Sequence, residues 1–366
     1  MEKSFSQELE HYVALANPDA FSRPAAAEIK RILDQETFSE EDFFELLSAA
    51  ALTYIEPLAQ KARQLSWRHF GRVVHLYAPL YLSNYCDNEC VYCGFNRNNP
   101  ILRKTLSIDE VKQEAREIAT QGLRSILLLT GESRQQAGLG FIKECIALLR
   151  EDFSSISLEI YPLTLSEYKE VVEAGSDGLT LYQETYDQAL YRSLHGRGPK
   201  RDFSFRLEAV ERAAQARMRQ INLGVLLGLG DWRRDVFLLG VHTYWLQRHY
   251  PQVEIAVSLP RLRPQVSSFA APHPVDERNL AQALIALRLF LPACGITIST
   301  RETSSLRRSL IGLGVTRMSA GSRTEVGGYS LAEKTEAQFA ISDQSSVAEV
   351  KEMISQAGYQ PVVKDW

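Results

Sequence analysis

From about residue 73 onward, short runs rich in Val, Ile, Leu and Thr alternate with longer stretches in which apolar residues recur every three or four positions. The short runs have the length and composition of buried strands, and the longer ones the period of one-sided helices. Eight strands are predicted, over 73–83, 125–130, 157–160, 178–182, 221–227, 254–259, 296–300 and 317–320. Helices are predicted between them, among others over 107–121, 165–174, 203–216, 276–291 and 304–313, with a last one over 346–356. Ser107 and Glu110, three residues apart, have the spacing of a capping box at the start of the first. An α/β chain with this many βα units predicts a closed (β/α)8 TIM-type barrel, because open doubly wound sheets usually stop at fewer strands. Residues 1–70 read as a helical extension packed on the barrel, 71–322 as the barrel, and 323–366 as a polar, Gly-containing loop followed by a helix.

Composition changes this picture little. The 366 residues are 45% hydrophobic and 23% charged, an ordinary globular balance with enough apolar material for a large core. A formal charge of −4 without a basic block argues against nucleic acid or an anionic membrane as partner, and favours a small molecule or a protein. No apolar stretch reaches the roughly 18 residues of a membrane span, and the first residues lack a signal-peptide core, so a cytoplasmic protein is expected. Five cysteines are too few for a disulfide framework in a chain this long, yet Cys86, Cys90 and Cys93 fall within eight residues.

Three thiolates in one tight loop after the first strand would sit at the carboxy-terminal mouth of the barrel, where this architecture places its chemistry, and can converge on one metal centre. Structural zinc needs four protein ligands, and Cys145 and Cys294 do not supply a second pair. These two read as structural, Cys145 on a buried helix face and Cys294 ahead of a strand. A zinc-stabilised binding protein without catalysis, or inert buried thiols, remain as alternatives. Three ligands on a cubane cluster leave one iron open, and an open iron can chelate a small molecule.

The run Cys86-x3-Cys90-x2-Cys93, with the aromatic Tyr92 just before the last cysteine, resembles the signature of the radical S-adenosylmethionine (SAM) enzymes. The resemblance implies that the three cysteines hold a [4Fe–4S] cluster and that SAM binds its fourth iron. It also implies roles for residues at the following strand ends. Leu129-Thr130-Gly131-Glu132 resembles the family's Gly-Gly-Glu turn, which receives the methionine ammonium, with Thr130 in place of the first glycine. Glu159 stands where a third-strand polar residue contacts SAM, and Arg206 matches an arginine used against the SAM carboxylate, a task that suits a planar bidentate donor. Gly224, Gly228 and Gly230 would let adenine and ribose approach the backbone.

The segments YAPLYLSNYC, TLYQETYD, LHGRGPK, STRETSSLRRSLIGLGVTRMSAGSRTEVGGY and the terminal VVKDW extend the resemblance over nearly the whole chain, to the aromatic amino acid lyase group and most closely to its tyrosine-cleaving branch in thiamine biosynthesis. That implies L-tyrosine as substrate and a 5′-deoxyadenosyl radical that takes a hydrogen from its amino group. Cα–Cβ cleavage then yields 2-iminoacetate (dehydroglycine) and p-cresol, with methionine and 5′-deoxyadenosine from SAM. A one-electron reductant of the flavodoxin or ferredoxin kind is implied, and so is a complex with thiazole synthase, because 2-iminoacetate hydrolyses readily. An amino-acid substrate needs a cation for its carboxylate, and Arg301 at the end of the seventh strand is the candidate. Ser319, Ser322 and Arg323 at the end of the eighth strand and Tyr81 in the first are candidates for the same ligand. Arg301 could instead pair with Glu302 or Glu325, the serines could cap a turn, and Tyr81 could be core. Glu184 and Tyr186 follow the fourth strand as possible cavity residues, and His195 reads as a loop hydrogen-bonder. Tryptophan cleavage remains the alternative within the group. A two-cluster branch of the group is not expected, because no cysteine follows Cys294.

Overall fold

The structure is a computed structural model that describes residues 4–17, 21 and 26–364. Asp365 and Trp366 of the terminal motif lie outside these residues. Four helices come first: α1 (Phe5–Leu15), α2 (Ala26–Leu33), α3 (Glu40–Leu46) and α4 (Ile55–Phe70). The barrel follows as β1 (Val73–Ser83), α5 (Ile108–Thr120), β2 (Ser125–Thr130), α6 (Leu139–Leu149), β3 (Ser155–Glu159), α7 (Leu165–Ala174) and β4 (Gly178–Glu184). It continues through α8 (Gln188–Leu194), α9 (Phe203–Leu207), α10 (Ala209–Gln215), β5 (Gln220–Val225), α11 (Trp232–His249), β6 (Glu254–Ser258), α12 (Glu277–Phe290), β7 (Gly295–Ile298), α13 (Ser304–Ile311) and β8 (Arg317–Ser319). A last helix, α14 (Val347–Gln356), leads into β9 (Gln360–Val362).

The eight strands β1 to β8 are parallel, each pairs with the next, and β8 pairs with β1, so the barrel is closed. Parallel strands covered by helices are buried on both faces, which is why they read as continuous apolar runs. Helix starts are equally local. Ser107, Thr164 and Ser346 each accept the backbone N–H three residues on, while the Glu at that position bonds back to the cap. The amino-terminal helices pack outside the barrel. Phe43 of α3 stacks on Phe290 of α12 at 4.5 Å between ring centroids, and Gln282 of α12 donates to the carbonyls of Leu46 and Ser48.

Two elements differ from the sequence expectation. The helix expected over 203–216 is divided at Glu208 into α9 and α10, where the Arg212 guanidinium takes the Phe205 carbonyl at 2.6 Å. The segment after α14 is a strand. β1 pairs with β2 only from Ala78 onward, and β9 covers its earlier edge by pairing with Val73, Val74 and His75. Unpaired strand edges are costly to bury, so the carboxy-terminal residues complete the sheet where β2 does not reach.

Candidate active site

At the carboxy-terminal ends of the strands lies a cleft of about 890 Å³ lined by Cys86, Cys90 and Cys93 together with residues from the ends of β2, β3 and β4 and the loops after β6 and β7. A second cavity of about 630 Å³, among Ser125, Ser157, Gln220 and Arg317, opens at the other end of the barrel and includes none of these cysteines.

The cysteine loop is irregular backbone held from several sides. Arg103 donates to the carbonyls of Asn84, Phe95 and Asn96, and Val91 and Glu89 N–H groups donate to Leu194 and Arg197. Gly131, at the end of β2, is where this loop crosses closely: a Cβ there would lie 2.2 Å from the Tyr85 carbonyl oxygen. The position expected to contact SAM therefore carries a packing requirement of its own. Gly131→Ala is expected to push the loop outward, at a cost of about 1–3 kcal/mol for overpacking. Iron and sulfide assays after anaerobic reconstitution should find less than half the wild-type cluster.

The three thiols fit a cluster. Burial pushes all three up, Cys86 to about 11, so in the protein alone they stay protonated. A coordinated metal reverses this by taking the thiolate outright. Among the described residues no three His, Cys, Asp or Glu side chains are grouped to hold one metal ion. Three cysteines spread around one cleft are a donor set for a polynuclear cluster, in which each sulfur meets a different iron.

Next to the thiols is a buried network of charges. Glu132 accepts from Arg206 at 2.9 Å and from Asn88 Nδ2 at 2.9 Å. Burial works to raise its carboxyl, but Arg206 and Lys200 outweigh it and hold the group below the usual carboxylate range. Arg206 also donates through Nε to the Tyr182 carbonyl, so it is buried in the site and is not a surface arginine on a helix. Lys200 donates to Glu184 at 2.6 Å. Glu184 itself has φ of 72°, a left-handed backbone that is uncommon for a non-glycine residue and turns the end of β4 toward the cleft.

Tyr92 is fixed by His195. Burial drops the imidazole to about 3, so it is neutral, and its Nδ1 lies 2.7 Å from the Tyr191 carbonyl, which only accepts. Nδ1 therefore carries the proton, and Nε2 accepts from the Tyr92 hydroxyl at 2.7 Å. His195 is a loop hydrogen-bonder with a specific task.

In the same cleft, Arg301 stacks over the Phe339 ring at 3.4 Å to the centroid and donates to the Arg261 carbonyl. Its neighbour Glu302 is occupied by Arg261 and Arg263, and Glu325 accepts from the Thr324 N–H, so neither takes the Arg301 guanidinium. Glu159 lines the cleft too, and burial pushes it to about 7, with Arg301 working to lower it.

Thus Cys86, Cys90, Cys93, Tyr92, Gly131, Glu132, Glu159, Glu184, Arg206 and Arg301 meet in one cleft. Tyr81, Ser319 and Ser322 do not line it. Tyr81 is buried one residue back and donates to Gln338 at 2.8 Å. Ser319 accepts from the Thr300 N–H and so ties β8 to the loop after β7, and the Ser322 hydroxyl is buried beside it in the fold without a partner among the described residues. Gly224, Gly228 and Gly230 lie outside the lining, and Tyr186 is core, bonded to His242. Sequence reasoning missed Lys200, Tyr182, Arg263, Gln338 and Phe339 as lining residues. Lys200 lay in a motif already singled out, whereas Gln338 and Phe339 sit in a polar loop with no local signal.

The fold and its cysteine-lined mouth define a radical SAM enzyme. The profile of the Radical SAM superfamily matches residues 80–239, and that of the Biotin and Thiamin Synthesis associated domain matches residues 258–360. The 2-iminoacetate synthase of Escherichia coli K12 is 41% identical over 342 residues, 93% of this chain and 91% of that protein. The Salmonella typhimurium protein of the same name is 40% identical over the same shares. The chain belongs to the 2-iminoacetate synthase family of radical SAM lyases, which work with a [4Fe–4S] cluster and SAM. Among solved structures, the FeFe-hydrogenase maturase HydG from Carboxydothermus hydrogenoformans superposes with a TM-score of 0.88 at 32% identity, covering 97% of this chain and 85% of that one. Methylornithine synthase (PylB) shares the fold, with a TM-score of 0.73 at 21% identity over 91% of this chain and 96% of that one. No helix among the described residues is long and apolar enough to cross a membrane.

Proposed function

We propose that this enzyme cleaves the Cα–Cβ bond of L-tyrosine to 2-iminoacetate and p-cresol, and that the 2-iminoacetate supplies the thiazole half of thiamine. The observation that carries the reading is one cleft that holds, with the three cysteines, two guanidinium groups suited to carboxylates: Arg206 paired with Glu132, and Arg301 stacked on Phe339. Cys86, Cys90 and Cys93 would hold the cluster, and Glu132, Arg206, Gly131 and Tyr92 would hold SAM. With both bound, the cluster's electron and SAM's sulfonium supply a carbon radical able to take hydrogen from the substrate. The chain's own residues position the substrate. Arg301 would clamp the tyrosine carboxylate, already orientated by Phe339. Glu159, expected above as a SAM contact, is read here as the acceptor for the substrate amino group, because Arg301 is the largest charge acting on it. The names of the two bacterial relatives support 2-iminoacetate as the product; cleavage of tyrosine or of tryptophan releases that same fragment, so the choice of side chain is what the turnover assay decides. Direct hand-over to thiazole synthase fits a product that hydrolyses in water.

The test is anaerobic turnover of reconstituted enzyme with SAM, a one-electron reductant and either amino acid. Tyrosine should release p-cresol and 5′-deoxyadenosine. A reduced cluster that cleaves SAM without p-cresol, or that prefers tryptophan, would refute the reading.

Glu159 adds a pH dependence. Its carboxyl in the folded protein titrates near 7 because burial disfavours the anion, so it is neutral below that pH and charged above it. As an acceptor for an ammonium it works best as the anion, so kcat/KM for tyrosine should rise as pH increases through about 7. Glu159→Gln should flatten that limb and lower the plateau by roughly tenfold, the worth of one charged hydrogen bond. For stability the sign is opposite. An elevated carboxyl pKa means that the unfolded chain loses its proton first, so the group destabilises the fold increasingly from about pH 4.5 to 7.

A further inference from the structure

Between β8 and α14 the chain crosses the barrel mouth as a strap. The Ala340 N–H donates to the Pro264 carbonyl at 2.8 Å and the Ser342 N–H to the Thr300 carbonyl at 2.9 Å, which anchors the strap to the loops after β6 and β7. On the cysteine side the contact is Gln338. Its backbone N–H donates to Thr324, and its carbonyl accepts from the Gly94 N–H at 3.2 Å. The strap passes so close that a Cβ on Gly94 would lie 2.3 Å from that carbonyl oxygen. With the main chain clamped at both groups, the side chain has little freedom. Tyr81 donates its hydroxyl proton to Oε1 at 2.8 Å, and Nε2 lies 3.6 Å from Cys93 Sγ. As a cluster ligand Cys93 is a thiolate, which only accepts, so the amide nitrogen then faces the sulfur and the oxygen faces Tyr81.

We infer that Gln338 is a positioning residue that sets the reduction potential of the cluster, through an N–H donated to the Cys93 sulfur and aligned by Tyr81. The inference rests on the reading of Cys93 as a cluster ligand. A donor on a ligating sulfur places partial positive charge beside the cluster and favours the more negative, reduced state, so it raises the potential. The device comes from the strap and leaves the cysteine loop free to present all three sulfurs to the cleft.

The experiment is a redox titration of the reconstituted full-length protein, followed by electron paramagnetic resonance, with iron and sulfide measured on the same samples. Gln338→Leu should keep the cluster content and lower the potential by about 59 mV, which is tenfold less reduced cluster at a fixed solution potential. Gln338→Met keeps the length without a donor or a charge, and should lower the potential as well. Tyr81→Phe leaves the donor and should shift it less. A merely structural strap residue would leave the potential where it was, so an unchanged value in a fully loaded Gln338→Leu overturns the inference. If that variant fails to load, Gln338→Met, which has neither a donor nor a charge, decides in the same way. A full cluster in Cys93→Ala would overturn the ligand reading itself, and that result is visible in the iron content before any potential is measured.

Discussion

Cys90→Ala should abolish reductive cleavage of SAM while leaving a folded barrel. Cys90 lies on the irregular loop at the mouth, in a small apolar group with Tyr92, Leu194, Leu226 and Leu229 that is separate from the main core. Losing one sulfur from a small contact set costs on the order of 1 kcal/mol, too little to unfold a closed eight-stranded barrel. Losing one of three cluster ligands removes the only protein hold on one iron and lets the cluster fall apart. Reconstituted variant protein should therefore hold little iron, lack the thiolate-to-iron absorbance, release no 5′-deoxyadenosine and still melt cooperatively within a few degrees of wild type. Global unfolding would instead identify a structural metal site.

The second large effect is at Arg301. Its half-buried guanidinium is stacked on Phe339, donates to the Arg261 carbonyl and is taken by neither Glu302 nor Glu325, and the carboxyl it acts on in the cleft, Glu159, is itself pushed up to about 7 by burial. A substrate carboxylate would pair with the guanidinium. Arg301→Leu should cost about 3 kcal/mol of charged hydrogen bonding, roughly a hundredfold in kcat/KM for tyrosine. Cleavage of SAM without substrate would depend on the cysteines, Glu132 and Arg206 and should survive, so the ratio of 5′-deoxyadenosine to p-cresol should rise. Arg301→Lys should recover only part of the loss, because an ammonium cannot reproduce the planar fork. Equal loss of SAM cleavage and p-cresol formation would place Arg301 with the cofactor.

Much of this was legible in the residues because it is local. The strand runs are apolar since both faces of a parallel sheet are covered, and the helix starts follow from Ser or Thr with Glu three residues on. What was illegible depended on distant groups meeting. The split at Glu208 follows from a side chain of α10 reaching back to a carbonyl of α9, and β9 exists because β2 leaves the start of β1 uncovered. Ser319 and Ser322 had the right residue type at the end of the right strand, but the Ser319 hydroxyl takes the Thr300 N–H and neither serine is among the residues that line the cleft.

The βα repeat, the three-cysteine loop and the carboxylates and arginines at the strand ends are each set by neighbours within a few positions, and so are written in the residues themselves. Only the closed barrel decided which of them face one another. Glu132 and Arg206 pair across 74 positions and Tyr81 reaches Gln338 across 257. Closing the ring brings all eight strand ends to one mouth. There, burial makes every charge depend on its partner, and no local pattern names that partner.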